Sequence, residues 1–341
     1  MAAKAIITKS QTIRDFAVLH EGLPRRIGGA EKWERSFSKV AKKFEYTLPP
    51  VSCSTRMSVL LNIALSSNTN TEVLDVLSQH PNLYVREHVA SNTSATERLL
   101  ERLAYDRFLD VRKAVASNIK SHPDTLSDLS KPGTHVGIKR SVAANTSANE
   151  ETLYMLSNYH DLTVRCNVAS NRSTPSWLLY RMAEESDIIG MDHNNHNTKG
   201  MAKVLRRIAS NVNAPEDLLL QFAYNITNAE ILSQVALNPS TTYAILEILS
   251  VSKYEYVRYD VATNINTSDK LLSILAKDPV DSVKLAVALN PNASVETLCA
   301  IHSEDKDILH MVNLKISNIL ALRGSGNNEN PVKGIQQYAM S

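Results

Sequence analysis

With 341 residues, 43% of them hydrophobic, the chain can bury a sizeable core; 37 Lys and Arg against 35 Asp and Glu leave it at +2, without the strong basic excess of a nucleic-acid coat. Only 10 glycines and no alternating apolar–polar runs argue against a β-repeat, so the chain reads as all-α. Cys53, Cys166 and Cys299 stand far apart in no metal-type spacing, which suits a reducing cytoplasm, and no signal-peptide core or membrane-spanning run is found.

Residues 1–55 read as a basic capping segment. Within residues 1–50, ten Lys/Arg face five Asp/Glu. Arg25 and Arg26 precede Gly28 and Gly29, and Trp33, Phe37, Val40 and Phe44 follow at i, i+4, i+7 and i+11, an amphipathic helical stripe. A stack of repeats needs its end shielded, so this helix is expected to bury Trp33 and Phe37 on the first repeat, with Lys39, Lys42 and Lys43 outward. The alternative is a basic arm for an acidic partner, with Arg25 and Arg26 as contacts.

Residues 56–320 repeat. Asparagines close hydrophobic runs at Asn68, Asn92, Asn118, Asn145, Asn171, Asn211, Asn238, Asn264 and Asn290, with a degenerate unit near Asn318; the spacings are 24, 26, 27, 26, 40, 27, 26, 26 and 28 residues. A fixed period of this length marks a stack of small units. From Asn92 to Asn290, Val or Ile stands seven and three residues before each asparagine and Ala two before, as in Val111, Val115 and Ala116. These offsets share one face of a first short helix, and the small alanine predicts close backbone approach. Eight and eleven residues after the asparagine stand Leu153 and Leu156, or Leu179 and Met182, the buried pair of a second helix. Starts such as Pro123-Asp124 and Thr174-Pro175 supply its N-terminal signals. The asparagine ends the first helix and can bond freed backbone groups; a recognition ladder of amides is the alternative.

The unit Val111-Arg112-Lys113-Ala114-Val115-Ala116-Ser117-Asn118, with Leu126 and Leu129, resembles the variant leucine-rich repeat of bacterial and phage proteins. The same pattern returns in Tyr84 to Asn92. The resemblance implies a right-handed α-solenoid, HEAT-like in outline, of about 8–10 two-helix repeats in which α-helices alternate with short 3₁₀-like helices. One member of that family carries an iron–sulfur cluster on an N-terminal cysteine group. With only Cys53 near that end, no cluster and no other cofactor are expected here. The family has no general activity, so the resemblance leaves the function open.

A basic residue recurs six before the asparagine: Arg86, Arg112, Lys139, Arg165, Arg258 and Lys284. Such a row could track a phosphate backbone. Preferred is ion pairing with preceding acids: Asp106 and Asp110 before Arg112, Asp161 before Arg165, Asp278 and Asp281 before Lys284. The long step from Asn171 to Asn211 holds an insertion near 184–200, read as a solvated contact loop that includes Asp192, His193 and His196. The two histidines lack a third metal ligand in sequence. Residues 321–341 read as a flexible tail.

No phosphate-binding glycine loop, nucleophile elbow or metalloprotease helix occurs, so no enzyme is expected. The leading expectation is a cytoplasmic, non-enzymatic scaffold whose concave face, insertion and basic cap engage a protein partner and no membrane. A nucleic-acid-binding solenoid is the alternative. A HEAT-like DNA-repair-type enzyme is a remote one, by architectural analogy alone.

Overall fold

The computed structural model describes residues 53–185 and 196–324, together with positions 36, 37, 39, 40 and 43. The described residues are helical with no strand. They fall into two compact units, Met1–Ser173 and Thr174–Ser341.

In the first unit, helices α1 (Cys53–Leu65), α3 (Leu83–Ser91), α5 (Leu109–Ser117), α7 (Val136–Ala144) and α9 (Leu162–Ser170) are the first helices of successive repeats. Helices α2 (Thr71–Leu77), α4 (Glu97–Leu103), α6 (Pro123–Ser130) and α8 (Glu150–Ser157) are the second ones. Each first helix packs on the next, α1 to α3 through α7 to α9. The second unit opens with α10 (Ser176–Glu184) and continues with first helices α11 (His196–Ala209), α13 (Ala229–Leu237), α15 (Glu255–Thr263) and α17 (Asp281–Leu289). Second helices α12 (Glu216–Asn225), α14 (Tyr243–Ser250), α16 (Asp269–Leu275) and α18 (Val295–Cys299) alternate with these, and α19 (Lys306–Gly324) ends the array. Here too consecutive first helices pack together, α11 to α13 through α15 to α17.

The core is the one the periodicity predicts. Val111, Val115, Ala116, Leu126, Leu153 and Leu179 are fully buried, and their counterparts from Val85 to Leu298 are buried too. Capping is local. Thr96, Asn149 and Ser268 accept backbone N–H groups at the starts of α4, α8 and α16, and Pro123 opens α6 as its first residue. Gly133, at φ +83°, occupies the turn between α6 and α7, a left-handed position that favours glycine.

The asparagines that end first helices at Asn92, Asn118, Asn145, Asn171, Asn238, Asn264 and Asn290 are buried and sit in extended backbone, with φ −79° and ψ 122° at Asn145. In these seven, Oδ1 accepts the N–H two residues on, and Nδ2 donates twice to the preceding repeat. Asn145 Nδ2 reaches Ala116 O at 2.9 Å and Asn118 O at 2.8 Å, while its Oδ1 takes Ser147 N–H at 2.9 Å. The same bonds join Asn118 and Asn171 to the repeats before them, and Asn264 and Asn290 in the second unit. The recurring alanine thus supplies a carbonyl as well as a small side chain. With its amide committed this way, the asparagine row is structural and offers no recognition ladder.

This geometry corrects both ends of the sequence register. Asn92 donates to Ala64 O and to Ser66 O, 26 residues earlier, so Ser66 and not Asn68 holds the first position. Val59, Ile63, Ala64, Leu74 and Leu77 then fall on the common rows, and Asn68 is exposed. At the other end the described residues form no tenth two-helix unit. Asn318 is exposed within the 19-residue helix α19. From that helix the Lys315 ammonium donates to Asn290 O, the bond that a further asparagine would make.

The insertion also differs from its reading as a loop through residue 200. Helix α11 has 14 residues where α9 and α13 have 9, so residues from His196 onward extend the first helix. At the N-terminal end, Phe37 is buried and Lys39 and Lys43 are exposed. Lys43 Nζ bonds both Glu72 carboxylate oxygens at 2.8 and 2.9 Å, at the start of α2. Helix α19 continues to Gly324, past the boundary at which the flexible tail was expected.

Candidate binding surface

The basic row is mostly turned inward. Arg86 is buried; its Nε and Nη2 meet the Asp106 carboxylate at 2.6 and 3.1 Å, and its Nη1 donates to His80 O at 2.7 Å and Pro81 O at 3.0 Å. Arg258 repeats the pattern, with Asp278 at 2.6 and 3.0 Å and Ser252 O at 2.8 Å. Arg112 Nη1 donates to Asp106 O at 2.5 Å. Lys139 is buried and donates to Lys131 O at 2.6 Å and to Ser130 O. Lys284 bonds Asp281 and His302 O, each at 2.7 Å. Arg86, Arg112, Lys139 and Arg258 bind carbonyls at or just beyond the C-terminus of the preceding second helix, where a cation is favoured, whereas Lys284 reaches the turn after α18. Arg165 differs, since its buried Nε meets no acceptor among the described residues.

The predicted pairings shift accordingly. Asp106 and Asp278 serve Arg86 and Arg258, each 20 residues earlier and in the preceding repeat, rather than Arg112 and Lys284. Asp161 serves Arg140, through Nε at 3.0 Å and Nη2 at 2.6 Å, rather than Arg165. Of the acids named beforehand, only Asp281 holds its expected partner, Lys284. Burial pushes the Asp106 carboxyl up, but the Arg86 hydrogen bond, Phe108 N–H and the nearby guanidinium charges outweigh it and leave it below the usual range. Asp278 follows the same balance, with Arg258 and Val280 N–H. Burial pushes the Lys139 ammonium down.

One surface open to a partner, beside the second helices and their ends, where Tyr105, Trp177, Tyr224 and Ile274 are also exposed, is the solvent face of the first helices. In the first unit it carries Tyr84, Lys113, Ile119 and, half-buried, Arg140 and Asn167. A cavity of about 390 Å³ lies there, lined by residues of α5, α7 and α9 and the turns after α5 and α7. In the second unit the same helices and the turns after them expose Leu237, Tyr256, Tyr259, Ile265 and Leu289 together with the charged Lys203, Arg207 and Glu230. Among these sits Asp260, buried and accepting the Ser233 hydroxyl; burial raises its carboxyl above the usual range, and the hydroxyl offsets part of this.

Of the other residues singled out from sequence, Arg25, Arg26, Asp192 and His193 lie outside the described residues, and His196 is the first residue of α11. Lys113, Arg140 and Asn167 were missed. The signal was present five and four residues before the asparagines, where side chains vary from repeat to repeat instead of recurring. Among the described residues no His/Cys/Asp/Glu group could hold a metal, and no helix is long and apolar enough to cross a membrane.

Fold and surface together define a helical repeat protein with an uncovered face on its first helices. No sequence-family profile and no curated protein matches the chain. Among solved structures, one described as a leucine-rich repeat variant with a novel repetitive protein structural motif is similar at 20% identity and a TM-score of 0.44, over 77% of this chain and 96% of that one. An engineered protein is similar at 15% identity and a TM-score of 0.24, over 78% and 75%. The repeat architecture rests on the chain's own hydrogen bonds and packing.

Proposed function

We propose that this chain is a non-enzymatic scaffold that binds a protein partner on the outer face of its first helices, and that it is a HEAT-like relative of the variant leucine-rich repeat proteins of bacteria and phages, working in the cytoplasm. One observation carries the reading. The cations that could follow a nucleic acid are spent on carbonyls and carboxylates, as at Arg86, Lys139 and Arg258, while Tyr84, Ile119, Tyr256 and Ile265 stand exposed. Exposed apolar and aromatic side chains suit protein contact, and in each unit these lie on the first helices and the turns after them. Nucleic-acid binding ranks second because it would need those buried cations to leave their partners.

The test is affinity capture with the full chain, with and without nuclease, beside Ile119→Asp and Ile265→Asp variants of intact helicity. A protein captured despite nuclease and lost with either variant supports the scaffold. Capture abolished by nuclease, or unchanged in both variants, overturns it.

A further inference from the structure

Resting on that reading, we infer that the cavity on α5, α7 and α9 is a docking groove for an acidic peptide segment of the partner. Its existence is written into one layer. Eight residues before the asparagine, the other described first helices of this unit carry Ser58, Tyr84, Asp110 and Thr163; α7 has Gly137, and Ser141 and Ala144 complete a small-residue floor. Gly137 thus contributes no side chain to a cavity lined by three successive first helices.

The lining supplies cations and hydrogen-bond donors with no carboxylate. Lys113 forms one wall, exposed, with no ion pair or hydrogen bond among the described residues. Arg140 forms the other, held in place through Nε and Nη2 by Asp161, which leaves Nη1 to donate. Asn167 donates to Arg140 O at 2.8 Å, and its Oδ1 is open to a peptide N–H. An anchored guanidinium and a mobile ammonium across a polar floor suit carboxylate side chains on an extended backbone. A nucleic-acid strand would need a longer line of free cations than this groove offers.

The experiment measures fluorescence anisotropy of a labelled peptide of alternating glutamate and serine, titrated with the full chain. Its lysine–serine counterpart and an oligothymidine strand are titrated in parallel. The acidic peptide alone should bind. Lys113→Glu should weaken it about tenfold or more, since a charge is reversed at contact distance, and rising salt should do the same. Gly137→Thr should weaken it without altering charge; its Cβ would meet only the exposed His135 ring, Nδ1 at 3.1 Å. Lys277→Glu, on an exposed residue of the second unit, carries the same charge change and should leave binding as it was. Equal losses from Lys113→Glu and Lys277→Glu, or no binding of the acidic peptide, overturn the groove assignment. If nuclease-resistant capture then persists, the scaffold reading stands without it. Tight oligothymidine binding abolished by Lys113→Glu overturns both.

Discussion

Asn145→Asp tests the asparagine row in a way no truncation can, because it keeps the shape and reverses the hydrogen-bonding sense. Asn145→Ala removes three bonds of 2.8–2.9 Å, to Ala116 O, Asn118 O and from Ser147 N–H. At about 1 kcal/mol each this is roughly 3 kcal/mol. Asn118 O keeps a second donor, Ser121 N–H at 3.0 Å. Ala116 O loses the side chain that meets it, and stranding such a buried carbonyl adds about 1–2 kcal/mol, for a total of roughly 4–5 kcal/mol. Aspartate caps helices and forms the same local turn as asparagine, so a merely local role predicts little change. Facing two carbonyl oxygens, however, a buried carboxylate is repelled where the amide donated, and Asp should cost more than Ala. The assay is urea unfolding followed by circular dichroism. Amide exchange around α5 and α7 would localise the loss, since an array need not unfold in one step. Asn68→Asp, on the exposed asparagine outside the row, should change stability by about 0.5 kcal/mol or less. An Asn145→Asp protein as stable as the parent, or an equal cost at Asn68, would refute the inter-repeat role.

Leu153→Ala empties a fully buried site and should cost roughly 2–5 kcal/mol in urea unfolding, with exchange loosened in the adjoining repeats; an unchanged curve removes Leu153 from the shared core. Arg86→Ala leaves Asp106, 9% exposed at its side chain, without its cation and should cost about 3–5 kcal/mol at neutral pH. Because the folded Asp106 pKa lies below its unfolded value, that stability is present above the unfolded pKa and is lost as pH falls through the folded one; a mutant gap that stays constant into acid contradicts the pairing. Asp260 has the opposite sign. Its raised folded pKa gives stability below the unfolded pKa that is lost as pH rises through the folded one, so Asp260→Asn should raise the thermal midpoint at neutral pH and not in acid, and a lowered neutral midpoint would show that the carboxylate is needed charged.

The repeats were legible because each row recurs with its chemistry intact: Val111, Val115, Ala116 and Leu126 have the same type of residue one period away. The first repeat was misplaced because Asn68 drew the register two residues too far, although Val59, Ile63 and Ala64 stood on the rows. Serine at position 66 has no amide to give, and as the first in line it needs none to give backward. The ion pairs were misassigned because sequence proximity favours Asp161 with Arg165, whereas stacking sets Asp161 beside Arg140 of the repeat before. Lys315 was invisible for a similar reason: its role is to replace an asparagine by reaching from a different helix. The groove could not be found from recurrence at all, since it depends on Gly137 departing from its neighbours.

The asparagine bonds all run one way, each layer giving its protons to carbonyls of the layer synthesised before it. As the chain leaves the ribosome, Asn118 finds Ala90 O and Asn92 O already in place, and Asn145 then finds Ala116 O and Asn118 O. Each repeat can lock onto finished structure without waiting for the next. Along this row the growing edge presents carbonyl acceptors, and Lys315 covers the last of the asparagine carbonyls. The asparagine row therefore has a direction, written in which partner holds the hydrogen.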